Sequence, residues 1–223
     1  MLQRYPLALA IENLLPLLFL AFGFLILART LNRKNPIIGE LSYIGSFLII
    51  AGNLLSATAK LLNAINGNDY QWLNGGLLVL SAPGLVCLAW ALWRGLHQDA
   101  DKFSGGQIWL LPLCLNAGLL AVSAGVKLVK GSQVWFRLLL IVATVAGIAA
   151  FVQLARRAIH HRLLVEAALF LISLLLSLSL NWQSTETSPT ESTEWIKQIS
   201  NNIAQVAFAF AAFKLSKKEL PQQ

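Results

Sequence analysis

Polar side chains recur at intervals of seven inside otherwise apolar stretches of this sequence. Ser46, Asn53 and Lys60 keep this spacing in one stretch, and Asn116 and Ser123 keep it in another. Residues seven apart return nearly to one face of an α-helix, so each series predicts a polar stripe. Two further stretches carry similar sets, namely Glu166, Ser173 and Ser177, and then Gln198, Asn202 and Gln205. Because polar groups are costly in lipid, we expect these four stripes to face the interior of a helix bundle.

Two interpretations of the stripes remain open. In the first, they line a hydrated cavity, with Asn53, Asn116 and Gln205 near mid-membrane, where transporter sites are found. In the second, the amides and hydroxyls only join helices, through hydrogen bonds worth about 0.6 kcal/mol each. Under the first interpretation, the candidate ligand-binding or pore-lining residues are Glu12, Asn53, Lys60, Asn116, Ser123, Lys127, Asn202 and Gln205.

The sequence holds no recognisable catalytic or metal-binding pattern. His160 and His161 are adjacent, so on a helix they would point about 100° apart. Cys87 and Cys114 form no C-x-x-C pair, and no H-E-x-x-H, G-x-S-x-G or phosphate-binding glycine loop is present. We therefore predict that the protein is not an enzyme, with no catalytic residue, no metal site and no cofactor.

The elements that must position the polar residues are long apolar runs. The chain is 57% hydrophobic and only 12% charged, whereas soluble domains carry about 25% charged residues. Each run is long enough to cross a hydrocarbon core of roughly 30 Å as a helix, and none shows the alternation of a barrel strand. The sequence thus predicts an all-α bundle of about seven transmembrane helices, near residues 7–28, 39–62, 72–93, 107–129, 134–155, 163–180 and 195–213.

Charge and tryptophan positions predict the orientation of the bundle. Most of the 17 Lys and Arg residues fall in the connections on one side, including Arg29, Arg94 and Arg156. The positive side is cytoplasmic, so we expect the N-terminus outside and the C-terminus inside the cytoplasmic membrane or its equivalent. Trp72 and Trp195 are expected near the outer boundary. The net charge of +7 is interpreted as contact with lipid head groups, not with nucleic acid.

The connections are short, so residues 1–223 are expected to form one membrane-embedded domain. The fifth run, 134–155, has few polar residues and is expected to face lipid. The polar stripes suggest small-solute transport or ligand binding. The alternative is a non-catalytic scaffold, assembly factor or sensor module in a membrane complex. The predicted partners are the lipid bilayer, a small solute and other membrane proteins.

Overall fold

A computed structural model of the chain describes residues 6–96, 105–130, 132–183 and 191–219, and these are helical apart from short turns. No strand occurs among them, so the predicted all-α bundle is confirmed. The helical segments are α1 (Leu7–Glu12), α2 (Leu14–Lys34), α3 (Pro36–Asn66), α4 (Gln71–Leu96), α5 (Gly105–Lys130), α6 (Ser132–His160), α7 (Leu164–Gln183) and α8 (Glu191–Glu219).

Two of these segments form a single membrane-length element that is interrupted at Asn13. Pro16 causes the interruption, because it has no N–H to give to the Glu12 carbonyl and its ring crowds that carbonyl. The Asn13 side chain turns back and donates from Nδ2 to the Leu9 carbonyl at 2.9 Å. Together α1 and α2 span Leu7–Lys34.

In the part of the chain that the structure describes, five elements are long and apolar enough to cross a membrane: Leu7–Lys34, Pro36–Asn66, Gln71–Gly95, Gly106–Leu128 and Val134–His160. The apolar part of α7, Leu164–Leu180, is shorter. The first half of α8 is polar, and its apolar half packs against α2 and α7. The protein is therefore an integral membrane helix bundle.

Close backbone contact joins α3 to α4. A Cβ atom added at Gly45 would lie 2.7 Å from the Gly84 carbonyl oxygen, and one added at Gly52 would lie 2.8 Å from the Leu77 carbonyl oxygen. Small residues allow this approach, which is typical of helix pairs in membranes. This contact fixes the rotation of α3 about its axis, and so the direction of the face that carries Asn53 and Lys60.

The contacts of α5 and α6 show how central each helix lies. The fifth run, now α6, packs against α4 and α7, while Ile141 and Val145 are exposed on its outer face, where the sequence predicts contact with lipid. The peripheral element is α5, of which 22% of the apolar window is buried, against 33–50% in the other four spans. A polar stripe shows that a helix has an inward face, but it does not show how central that helix lies.

Candidate functional site

Polar side chains from several helices surround a cavity of about 480 Å³ at the end of the bundle where α2 begins and α3 ends. We call it the polar cavity. Ten of its sixteen lining residues are polar or charged. The lining consists of Asn13, Pro16, Leu17, Leu20, Asn53, Ser56, Ala57, Lys60, Leu77, Ser177, Leu180, Glu194, Lys197, Gln198, Asn201 and Gln205. Three residues predicted from the sequence, Asn53, Lys60 and Gln205, meet here.

One wall of the polar cavity comes from α3. Lys60 Nζ donates to Asn13 Oδ1 at 3.2 Å, which ties α3 to the interruption before α2. Ser56 Oγ lies 3.2 Å from Asn74 Oδ1 of α4. Asn53 Nδ2 donates to the Ile49 carbonyl of its own helix at 2.8 Å. Its donor is thus engaged within the helix while Asn53 lines the cavity.

The opposite wall comes from the polar half of α8. Lys197 Nζ and Glu194 Oε1 form an ion pair at 3.1 Å, and both side chains are mostly buried. Gln205 Nε2 donates to Asn201 Oδ1 at 3.4 Å. Gln198 is 5% exposed, and its Nε2 finds no hydrogen-bond partner in the described part of the chain. A buried donor without a partner is costly, so Gln198 is a notable feature of this wall.

Glu12 and Asn202 lie against each other and do not line the polar cavity. Asn202 Nδ2 donates to Glu12 Oε1, which joins the end of α1 to α8. Within the described ranges, the second oxygen of Glu12 and the Oδ1 of Asn202 have no hydrogen-bond partner. These two candidate residues therefore meet each other at a helix contact.

The three candidate residues on α5 lie elsewhere. Asn116 Nδ2 donates to the Pro83 carbonyl at 3.4 Å and to Cys87 Sγ at 3.3 Å, both on α4. Ser123 is buried, and the Lys127 ammonium lies over the Trp135 ring, 5.3 Å from its centroid. None of the three lines the polar cavity.

A second space, of about 220 Å³, continues from the polar cavity towards the middle of the bundle. We call it the apolar chamber. It shares Leu20, Asn53, Leu77, Ser177 and Gln205 with the polar cavity, so the two are contiguous. Its remaining lining residues are Phe24, Ile49, Leu78, Ser81, Leu85, Leu140, Ala143, Thr144, Gly147, Ile148, Phe151, Leu174 and Leu178.

An aromatic cluster bounds the apolar chamber on the side away from the polar cavity. Phe24 and Phe151 line the chamber, and their ring centroids lie 4.8 and 5.4 Å from that of Phe208. Phe170 adds a fourth ring at 6.1 Å from Phe208. Phe208 is fully buried, and a Cβ atom added at Gly23 would lie 2.5 Å from its ring. The space thus ends at packed aromatic side chains.

The other end of the bundle is joined by one carboxylate, which the sequence analysis did not single out. Glu219, with a side chain 2% exposed, accepts from Arg157 Nε and lies 2.9 Å from Lys34 Nζ. His161 Nε2 lies 3.5 Å from the same carboxylate. Arg157 also donates to the Gly95 carbonyl at 3.1 Å. This Glu219 cluster connects α2, α4, α6 and α8.

Burial and the nearby cations favour the neutral form of His161. Burial is the largest cause that lowers the pKa of His161 below its ordinary value of 6.5, and Arg157, His160, Lys34 and Lys218 lower it further. His161 lies just after α6, outside the apolar spans. A neutral imidazole at this site adds no positive charge to the cations around Glu219.

No group of three or more His, Cys, Asp or Glu residues that could hold a metal ion occurs within residues 6–96, 105–130, 132–183 and 191–219. The chain matches no family model, and no curated protein or solved structure shows significant similarity to it.

Proposed function

We propose that this integral membrane protein binds a small solute in the polar cavity, as a transporter or a ligand-binding membrane protein. One observation carries the proposal: α3 and α8, with the start of α2, converge polar and charged side chains on a single space of about 480 Å³. Ligand sites typically occupy about 300–1,000 Å³ and combine apolar walls with a few placed polar groups.

The shape of the bundle supports access from one end. The polar cavity lies where α3 ends and α8 begins, while the aromatic cluster and the Glu219 cluster close the opposite half. With the orientation expected from Lys and Arg positions, the polar cavity faces outward from the cytoplasmic membrane. The ligand then enters from outside. The role we assign to this site is binding, without covalent chemistry.

A cavity-filling variant tests the proposal. Leu17 lines the polar cavity, whereas its neighbour Leu18 is 66% exposed on the outside of the bundle. Leu17→Trp fills the cavity and Leu18→Trp is its matched control. Small carboxylates, amino acids, sugars and amines are added to the purified protein, and thermal unfolding is followed.

A solute that binds only the folded protein stabilises it by about 2.7 kcal/mol at a hundred times Kd. We expect at least one solute to stabilise the wild type and Leu18→Trp but not Leu17→Trp. If the wild type and Leu17→Trp respond alike to every solute, the cavity is not the binding site and the proposal fails.

A further inference from the structure

We infer, building on the proposed function, that the ligand is an anionic amphiphile whose charged head binds in the polar cavity and whose hydrocarbon chain enters the apolar chamber. The first support is the continuity of the two spaces. Five residues from five helices, among them Asn53, Ser177 and Gln205, line both. A ligand in the polar cavity therefore lies directly beside the chamber.

The second support is the change in polarity along this path. Ten of sixteen lining residues are polar or charged in the polar cavity. In the chamber, twelve of eighteen carry aliphatic or aromatic side chains, and beyond the shared residues only Ser81 and Thr144 are polar. Apolar cavities hold water poorly but accept hydrocarbon. A wholly polar solute would leave the chamber without a suitable occupant.

The third support is the charge of the polar cavity. Its lining holds two ammonium groups, Lys60 and Lys197, and one carboxylate, Glu194. The buried Gln198 adds an Nε2 donor that has no partner among the described residues. An excess of cations and an available N–H donor both favour negatively charged oxygen atoms. Carboxylate and phosphate head groups share this chemistry.

The chamber can be filled without touching the polar cavity. A Cβ atom added at Gly147 of α6 meets nothing within 4 Å, although Gly147 lines the chamber. Gly147→Phe therefore brings no clash at Cβ, and we expect its ring to occupy the chamber that Gly147 lines. Gly125 of α5 is also open at Cβ and lines neither space, so Gly125→Phe is the matched control. Thr144→Phe is a second filling variant, should Gly147→Phe not fold.

The experiment measures binding of radiolabelled decanoate to the full-length protein in nanodiscs of zwitterionic lipid, with binding to protein-free discs subtracted. Unlabelled butanoate, decanoate, decyl phosphate and decyltrimethylammonium compete. Each methylene buried from water increases affinity about fourfold. We expect decanoate to bind the wild type and Gly125→Phe at least about tenfold more tightly than butanoate, and Gly147→Phe to lose this difference.

The outcomes separate this inference from the proposed function. If butanoate and decanoate bind the wild type equally and Leu17→Trp abolishes both, the chamber takes no chain: the inference is overturned and the proposed function stands. If decyltrimethylammonium competes as well as decanoate, the anionic head is overturned. If no compound binds in a manner sensitive to Leu17→Trp, both fail. Tighter binding of decyl phosphate than of decanoate supports the inference and identifies the head group as a phosphate.

Discussion

Lys60 Nζ lies 3.2 Å from Asn13 Oδ1, so a cation of α3 is held at the interruption between α1 and α2. Pro16 creates this interruption by removing one helical hydrogen bond and crowding the Glu12 carbonyl. The interruption places the Asn13 amide beside the polar cavity, which both residues line. The local chemistry of a proline thereby contributes to a polar site inside the membrane.

The charge of Lys60 should affect the reactivity of a thiol introduced in the wall of the polar cavity. In a protein lacking Cys87 and Cys114, Ser177→Cys places one thiol in the cavity wall. We expect the thiol to react faster with anionic reagents than with cationic ones, because the positive charge of the cavity lining concentrates anions there. Adding Lys60→Met should lower the anionic-to-cationic rate ratio by roughly threefold to tenfold. Adding Lys127→Met, outside the cavity, should leave the ratio unchanged, and an equal effect of both would refute this electrostatic account.

The buried carboxylate of Glu219 should be a major source of stability. Glu219→Gln leaves Arg157 and Lys34 without their counter-charge, and loss of one partner from a buried pair costs about 3 kcal/mol or more. Reversible unfolding in mixed micelles measures this loss. The exposed Glu40 provides the control, since Glu40→Gln should change stability by less than about 0.5 kcal/mol. Equal effects of the two substitutions would show that the Glu219 cluster is not stabilising.

The lowered pKa of His161 predicts a pH dependence. The unfolded chain takes up a proton near the ordinary value of 6.5, whereas the folded protein does so only at lower pH. Stability is therefore full above 6.5 and declines as the pH falls from 6.5 towards the folded pKa. His161→Gln should reduce this decline in micelle unfolding measured across that range. A decline of the same size in wild type and His161→Gln would assign it to other groups.

Trp90 and Pro112 should be energetically coupled. Pro112 cannot donate to the Ile108 carbonyl four residues earlier, and Trp90 Nε1 donates to it instead at 3.0 Å. Trp90→Phe should cost about 1 kcal/mol for the lost hydrogen bond, in addition to packing. In a Pro112→Ala background the backbone N–H at position 112 can donate to the Ile108 carbonyl. The cost of Trp90→Phe should therefore be smaller in that background. A double-mutant cycle on unfolding tests this, and strictly additive effects would contradict it.

Hydrophobic length and polar spacing predicted much of the fold from the sequence. Helix ends were predicted less well: α2 and α6 continue past the apolar runs to Lys34 and His160, because hydropathy marks the hydrocarbon core and a helix can extend beyond it. The seven-residue spacing correctly grouped Asn53 and Lys60 on one face of α3. It grouped Asn116 and Ser123 on α5 equally well, yet Asn116 contacts α4 and neither residue lines the polar cavity.

A helical period shows which side chains share a face, but the neighbour of that face depends on tertiary packing. For the same reason Glu219 was overlooked. In the sequence it follows Lys214, Lys217 and Lys218 in a basic segment that suggests head-group contact, and only the fold brings Arg157 to it. Pro16 was the available signal for the interruption at Asn13.

Water access at Asn53 tests the central claim most directly. Asn53 lines the polar cavity at its junction with the apolar chamber, whereas the comparably half-buried Asn116 packs against α4. Single cysteines at these positions, in a protein lacking Cys87 and Cys114, are exposed to a membrane-impermeant thiol reagent in intact membranes. We predict rapid labelling of Asn53→Cys and little labelling of Asn116→Cys. If both remain unlabelled in folded protein, the polar side chains only join helices and the cavity is not a solute-binding site.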